Sequence, residues 1–489
     1  MILLLCLYSV IKLYIVYDIY QQSHYNIKDT LVYFVKNFCF YNLIPIILLI
    51  IFSLCNNFLI KLLSLVFVIL YSLVYFIELR IKLKFSRRII RLILFSLVYL
   101  FLIIFIKYLN LYLLLLIEYS IIPLLFLDVY LAKLLNRRYI KECKDRIKNY
   151  NGTIIAITGS YGKTSVKYFF YQVLSLYFKV IATPKSYNTP LGISSFINNV
   201  SVNNYDYLIL EYGASKPNDI KELCDLIKPN ICVVTEVGYM HMNGFKCLEN
   251  VLEEKMSICR SSDVAILNYD NSMIKSYPIE NDVLSYGLKN GLYQVKNINN
   301  GEFDIYKNNE LLIHLDTNLA SNIQILNLLP AILFADYLKV DLKIIEANAF
   351  LFEGYKNRVE VKKIGNHTII DDSFNSNFNG FKSALLHLSN SRGKKILLSA
   401  GIVELGKYQM SIYNELKKYI ISACDVVILT GSETNYLYKI LYGHVECYHL
   451  RDFAEGIDLY KKMVSDEESC LLIENDVTDI YLRRELVWI

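Results

Sequence analysis

The sequence predicts a multi-domain chain. An N-terminal α-helical transmembrane region spans 1–150, an α/β central domain with a mostly parallel sheet spans 151–352, and a smaller Rossmann-like α/β domain spans 353–489. Three observations carry this reading. Of the 489 residues, 54% are hydrophobic and the mean hydropathy is +0.34, too apolar for an ordinary water-soluble chain. Residues 1–150 hold 18 Lys/Arg against 7 Asp/Glu, leaving 33 against 39 for the rest, so the overall charge of +5 hides a basic first part and an acidic remainder. All 19 glycines lie at or after Gly152. Because the second part has no positive excess to neutralise phosphates along a strand, a nucleic-acid partner is excluded. The eleven cysteines are scattered, with no Cys-x-x-Cys pair and no Cys/His cluster at zinc spacing, which indicates reduced thiols and no structural metal.

In the first part, apolar runs at 2–17, 38–54, 59–78, 92–106 and 111–132 approach the about 20 residues that a bilayer core requires, giving five expected spans. No small-residue cleavage site follows the first run, so it reads as an uncleaved helix. Arg80, Lys82, Lys84, Arg87, Arg88 and Arg91 fill one connection, and Lys133 to Lys148 follow the last run. The positive-inside rule would put both on the cytoplasmic side of a bacterial cell membrane, in a multi-pass topology with membrane lipid as a partner and the domains after 151 in the cytoplasm. Glu118 and Asp128 stand in or beside the last run, where a carboxylate is a functional candidate. The lack of glycine there points to an anchor rather than a transporter core.

The second part opens with the β-branched run Thr153–Thr158, the loop Gly159-Ser160-Tyr161-Gly162-Lys163-Thr164, and the helix-permissive stretch from Ser165 to Leu176. Strand, glycine loop and helix in that order form a P-loop. Backbone N–H groups converge on phosphate oxygens at the positive end of the helix, Lys163 supplies a point charge, and the Thr164 hydroxyl can hold Mg²⁺. The longer Gly-x4-Gly-Lys-Ser/Thr form would need glycine at 157, where the chain has Ile157, so this is a shorter variant. Tyr207–Leu210, Ile231–Thr235 and Val264–Leu267 read as short buried strands between helical stretches. In such sheets ligands gather at the carboxyl ends of strands. Glu211 and the stretch Thr235-Glu236-Val237-Gly238 fall there, and a strand-end carboxylate beside Lys163 and Thr164 can complete Mg²⁺ coordination. Lys395–Leu398, Asp425–Leu429 and Leu471–Ile473 are strand-like runs of the last domain.

Taken in order, these motifs resemble the Mur ligase family of ATP-dependent amide ligases, most closely its MurF branch. After the short phosphate loop come Thr183-Pro-Lys-Ser-Tyr-Asn188-Thr189-Pro-Leu-Gly192, then Glu211-Tyr-Gly213-Ala214 with Asp219, then His241 and Lys255 fourteen residues apart. Arg358, Asp371-Asp372-Ser-Phe-Asn375-Ser-Asn377 and Gly401-Ile-Val-Glu404-Leu-Gly406 complete the resemblance. It implies that Lys163 and Gly159 to Ser165 hold ATP phosphates, with Asn327, Arg358, Asp371, Asp372 and Asn375 as further nucleotide contacts. It implies a first Mg²⁺ on Thr164 and Glu211 and a second near His241 and Lys255, with Lys255 carbamylated to become an anionic oxygen ligand. Asn188 and Thr189 would meet substrate, and Lys163, His241 and Lys255 would form the catalytic set. The implied reaction joins the carboxylate of an envelope precursor to an amine or dipeptide donor through an acyl phosphate in peptidoglycan or other cell-envelope synthesis, releasing ADP. A polyglutamate-type or secondary-polymer ligase and a nucleotide-gated membrane scaffold are the alternatives.

Three departures from the family stand out. The domain that usually holds the uridine end of the substrate is replaced by the apolar runs. The family's His-Asn pair falls on Ile323-Gln324, ahead of Asn327. A basic Lys-Gly-Ser-type stretch is replaced by Glu474-Asn475-Asp476, which would favour a plain or cationic amine over one carrying a carboxylate.

Overall fold

A computed structural model describes residues 2–23, 25–36, 47, 57–78, 83–105, 121–319, 321–354, 360–373, 377–402, 405–451, 453–464 and 468–475. By internal contacts the chain divides near Arg138 into a helical unit before it and an α/β unit from Tyr139 to Val477.

The helical unit contains α1 (Ile2–Gln22), α2 (Ile27–Lys36), α3 (Phe58–Glu78), α4 (Arg87–Phe105) and the start of α5 (Ile122–Ile147). These helices overturn the expected membrane region: among the described residues, no helix is long and apolar enough to cross a membrane. Counting apolar residues in a run ignored where helices begin and what else they carry. α1 holds Lys12 and Asp18, both buried. The run at 92–106 shares its helix with Arg87, Arg88 and Arg91, and the described part of the run at 111–132 belongs to α5, which starts at Ile122 and whose second half is densely charged. The run at 38–54 and Glu118 lie outside the described residues, Ile47 excepted. The five-span count, the multi-pass membrane placement, the orientation drawn from the basic connections and the lipid partner all fall with this finding.

What the unit does show is a core of Tyr8, Ile15, Val16, Tyr20, Leu65, Val68, Ile89 and Leu92, with Leu63, Phe67, Leu94, Leu97 and Phe101 exposed. Asp128 is fully buried. Its carboxylate accepts from Arg88 Nε at 2.5 Å and from Arg91, with Tyr20 OH at 3.3 Å, so this functional candidate is held in an ion-pair network. Two guanidiniums and a hydroxyl replace the water that an isolated buried charge would lose.

The α/β unit carries two sheets. The first holds β1 (Thr153–Thr158), β2 (Val180–Ala182), β3 (Tyr207–Glu211), β4 (Ile231–Val234), β5 (Val264–Asn268), β6 (Asp282–Gly287), β7 (Tyr293–Asn299), β8 (Glu302–Lys307) and β9 (Glu310–Asp316), in the order β2-β3-β1-β4-β5-β6-β7-β8-β9. From β2 to β7 the pairings are parallel, while β7-β8 and β8-β9 are antiparallel. The sheet is therefore parallel over six of its eight pairings and mixed only through β8 and β9. Asn300, Asn308 and Asn309 with Gly301 supply the positive-φ positions that let these hairpins turn.

Alternate residues of each central strand enter two different cores. Ile155, Ile157, Ile209, Val233 and Ile266 pack on one face with α6 (Lys163–Leu174) and α10 (Asn322–Tyr337); Ile154, Ala156, Leu208, Leu210, Cys232 and Leu267 pack on the other with α7 (Pro190–Asn198), α8 (Asp219–Leu226) and α9 (Leu248–Met256). Burial on both faces is why these strands read as continuous apolar runs. It also leaves the strand ends as the place where polar side chains can gather.

The second sheet holds β10 (Glu360–Ile364), β11 (His367–Asp372), β12 (Lys394–Ser399), β13 (Val426–Thr430), β14 (Glu446–Leu450) and β15 (Ser469–Glu474), in the order β10-β11-β15-β12-β13-β14. All its pairings are parallel except β10-β11. The helix α11 (Phe378–Ser389) follows β11 and buries Phe381, Ala384, Leu385 and Leu388.

Candidate functional site

The site grows from the end of β1. Gly159 has φ +146° and Gly162 φ +80°, backbone states that L side chains rarely adopt. A Cβ on Gly159 would fall 2.1 Å from Thr235 Oγ1, and one on Gly162 2.7 Å from Asn327 Oδ1. The loop is thus pressed between the end of β4 and α10, and glycine is required at both positions. It is also stitched to the β4 end: Ser160 N donates to the Glu236 carbonyl at 2.7 Å, Gly238 N to Ser160 Oγ at 3.1 Å, and Tyr161 OH to the Tyr239 carbonyl at 2.7 Å. No side chain caps the first turn of α6, so its N–H groups keep their capacity for an anion. Lys163 folds back over the loop, donating to the carbonyls of Gly159 at 2.7 Å and Ser160 at 3.2 Å. Ser165 is buried behind the loop.

Beside the loop, Glu211 closes β3 with 1% of its surface exposed. Its Oε2 accepts from Thr164 Oγ1 at 3.0 Å and Lys167 Nζ at 3.1 Å, and its Oε1 from Asn188 Nδ2 at 3.1 Å. Burial alone would push this carboxyl up, but the Lys167 and Lys163 cations and the Asn188 amide hold it below the usual carboxylate value. Gly213 is obligatory next to it, since a Cβ there would lie 2.8 Å from Asn188 Cγ.

A cavity of about 450 Å³ opens here, lined by Ser160 to Thr164, Asn188, Thr189, Glu211, Gly213 to Lys216, Asp219, His241 and Asn377 among others. Lys163, Thr164, Glu211 and His241 therefore share one space, with Asn188 and Thr189 on its wall. His241 sits at φ +55°, a left-handed state at the start of a short helical turn. Lys255 lies just beneath the wall, 2% exposed, donating to the Ala214 carbonyl at 3.2 Å. Burial, reinforced by the Lys163 charge, lowers its ammonium to about 7, a shift that favours the neutral amine. Glu254, the neighbour of Lys255, braces the same wall by accepting from the backbone N–H of Asn218 at 2.8 Å and of Ile220 at 2.7 Å.

From the second sheet, Asn377 reaches the cavity while its side chain caps α11 by accepting from Gly380 N at 2.9 Å. Asp371 is buried at the end of β11, where it accepts from Ser373 N at 3.2 Å, and neither it nor Asp372 lines the cavity. Asn327 faces the phosphate loop at Gly162. Arg358, Asn375, Glu404 and Asp476 lie outside the described residues. Gln324, at the departure from the family's His-Asn pair, packs against Gly354. Glu474 is fully buried at the end of β15 and Asn475 donates to the Gly401 carbonyl at 2.5 Å, so Glu474 offers no surface carboxylate for repelling a donor that itself carries a carboxylate.

Sequence reading missed Lys167, whose ammonium sits against Glu211. The signal was present as a second lysine one helical turn after Lys163, on the same face of α6. It also left Asn377, Lys216 and Asp219 out of the site. Among the described residues no group of three or more His, Cys, Asp or Glu side chains gathers to hold a metal. A hydroxyl and a single carboxylate are nevertheless a fitting hard-oxygen pair for Mg²⁺, which takes one or two carboxylates and completes its shell with water and phosphate oxygens.

Residues 157–335 match the Mur ligase middle domain. The chain is 32% identical over 270 residues to a UDP-N-acetylmuramoyl-tripeptide–D-alanyl-D-alanine ligase of Buchnera aphidicola, covering 53% of this chain and 58% of that relative. To the enzyme of the same name from Rickettsia prowazekii it is 29% identical over 311 residues, 60% of this chain and 69% of the relative. Among solved structures, MurF from Acinetobacter baumannii superposes with a TM-score of 0.62 at 19% identity over 70% of this chain and 77% of that one. MurF ligase from Thermotoga maritima in complex with ADP gives 0.60 at 23% identity over 70% and 80%. The fold of these enzymes is present here.

Proposed function

From a chain that contains a Mur ligase middle domain, we propose an ATP-dependent, ADP-forming ligase that joins a carboxylate to an amine. The pair named for its relatives, a UDP-N-acetylmuramoyl-tripeptide and D-alanyl-D-alanine, are the favoured substrates. The observation that carries the reading is the convergence of Lys163, Thr164, Glu211 and His241 on one cavity that Asn188, Thr189 and Asn377 also line.

In this reading the amide groups at the start of α6 and the Lys163 ammonium receive the β- and γ-phosphates of ATP. An oxygen of the substrate carboxylate forms a bond to the γ-phosphorus as the bond to the β–γ bridging oxygen breaks, giving an acyl phosphate and ADP. The amine then adds to the acyl carbon, loses a proton, and expels phosphate. Thr164 and Glu211 would hold Mg²⁺, which when bound supplies charge neutralisation for the crowded phosphate oxygens. His241 and Lys255 would support a second ion. The neutral amine of Lys255 is the form that takes up CO₂, forming an N–C bond and releasing one proton to give a carbamate, though its present partner is the Ala214 carbonyl. Asn188 and Thr189 would orient the acyl substrate, and Asn377 would contribute from the second sheet when the cavity is filled.

The test is ADP release by the full chain with ATP, Mg²⁺, UDP-N-acetylmuramoyl-tripeptide and D-alanyl-D-alanine, with Lys163→Met as the control. Release that needs both substrates and is lost in the control supports the reading. ATP binding with no release for this pair or for other carboxylate and amine pairs overturns it in favour of a binding-only scaffold.

A further inference from the structure

Resting on that reading, we propose that Lys167 is a positioning residue that couples the nucleotide side of the cavity to the middle of the 183–189 segment that also lines it. The geometry is specific. Lys167 projects from α6, the phosphate-loop helix, and its side chain is 5% exposed, so its ammonium is removed from water and must be satisfied by protein. It has two acceptors on two different elements: Glu211 Oε2 at the end of β3, and the backbone carbonyl of Lys185.

The second acceptor gives the arrangement a consequence beyond neutralising Glu211. The 183–189 segment is anchored at its start, where Thr183 N donates to the Ile209 carbonyl at 3.0 Å, and near its end, where the Asn188 carbonyl accepts from Gly213 N at 2.9 Å and Asn188 Nδ2 donates to Glu211 Oε1 at 3.1 Å. Between these points Pro184, Lys185, Ser186 and Tyr187 are exposed, and Lys185 holds a positive φ of 48°. A buried ammonium on the carbonyl of Lys185 fixes the middle of a stretch that burial does not fix. Ser186, Asn188 and Thr189, which line the cavity, ride on that stretch.

A cation bound at Thr164 and Glu211 draws on the same carboxylate that Lys167 holds and repels the ammonium, which shifts the lysine's hydrogen bonding toward Lys185. Filling the nucleotide side thereby tightens the segment that faces the second substrate. The effect needs a charged donor long enough to bridge both acceptors; a side chain that only fills the space cannot transmit it.

Hydrogen exchange on the full chain tests this, with and without Mg²⁺ and the non-hydrolysable analogue AMP-PNP, and calorimetry reports analogue binding. In the wild type, exchange across 184–190 slows about tenfold on adding the analogue, within the usual size of coupling between two sites. Lys167→Arg keeps that slowing. Lys167→Met loses it while still binding the analogue, and Lys167→Gln, one neutral donor for two acceptors, is read in the same way if the methionine variant loses the protection of β1 and β4. Equal slowing in the wild type and in Lys167→Met or Lys167→Gln, or a wild type that binds the analogue with no change across 184–190, overturns the coupling. A wild type that gives no calorimetric signal with Mg²⁺ and AMP-PNP overturns the nucleotide reading itself.

Discussion

Replacing Glu211 by glutamine, alone and together with Lys167→Met, measures how the buried pair holds the centre of the site together. The two side chains are 2% and 5% exposed and 3.1 Å apart. At an effective dielectric of about 20, two unit charges at that separation attract by roughly 5 kcal/mol, and most of that offsets the cost of taking both out of water. Removing one partner leaves the other buried and uncompensated, a loss of about 3–5 kcal/mol. Glutamine makes this worse in a particular way, because Glu211 is surrounded by donors from Thr164, Lys167 and Asn188, and a carboxamide must turn its own N–H₂ toward one of them. Each single variant should therefore lower the unfolding midpoint of the nine-stranded domain by about 6–20 °C. The double variant, with both charges gone, should be less destabilised than the sum of the singles by at least about 2 kcal/mol. Denaturant-dependent hydrogen exchange of β1 and β3 reads the domain without interference from the helical unit. Single variants that cost under about 1 kcal/mol each, or effects that simply add, would refute the assignment of these residues as a desolvated ion pair.

Three further outcomes follow from the same geometry. Gly162→Ala forces a side chain into φ +80° and toward Asn327 Oδ1, so AMP-PNP affinity measured by calorimetry should drop at least about tenfold; pairing it with Asn327→Ala should recover only the steric part, because the backbone strain of roughly 1 kcal/mol stays. Burial raises the Glu236 carboxyl to about 7, against hydrogen bonds from Asn271 and Asn268 that favour its charged form. The folded chain thus holds a proton that the unfolded chain has released, so stability falls as pH rises from about 4.5 through about 7 and stays lowered above it, and Glu236→Gln should flatten that slope in urea titrations across the window. Asn377→Ala removes both the α11 cap, at about 1 kcal/mol in thermal unfolding, and a cavity-lining amide, so KM for a substrate should rise further than the stability loss accounts for; an unchanged KM would place Asn377 in the helix cap alone.

The parts of this molecule that a linear reading captured are those set by local rules. A glycine loop between a β-branched strand and a helix marks the P-loop, and strands buried on both faces appear as short apolar runs, which is why the runs at 207–210, 231–235 and 264–267 coincide with β3, β4 and β5. Glu211 was found because a carboxylate directly after such a run must sit at a strand end. Lys167 was not, because a lysine on a helix is ordinarily solvated, and only the position of β3 next to β1 brings Glu211 over it. The antiparallel extension through β9 carries its own turn signals in Asn300-Gly301 and Asn308-Asn309, which the alternating helix and strand pattern before it, read as a mostly parallel sheet, does not place.

The helical unit shows the opposite failure. Hydropathy sums over a window treat a charge as a small subtraction, whereas its real cost depends on what it meets in three dimensions. Arg88 and Arg91 come from one helix and Asp128 from another forty residues away, and their pairing turns three penalties into one satisfied network. The polar positions that break the apolar runs are thus among those that specify how these helices associate. Asp128→Asn tests this: two guanidiniums would remain against an amide in a buried place, and a loss of about 3–5 kcal/mol, seen as faster hydrogen exchange in α4, should follow. Exchange in α4 unchanged from the wild type would mean that the arginines find water as readily as they find Asp128, and that apolar contact alone orders the unit.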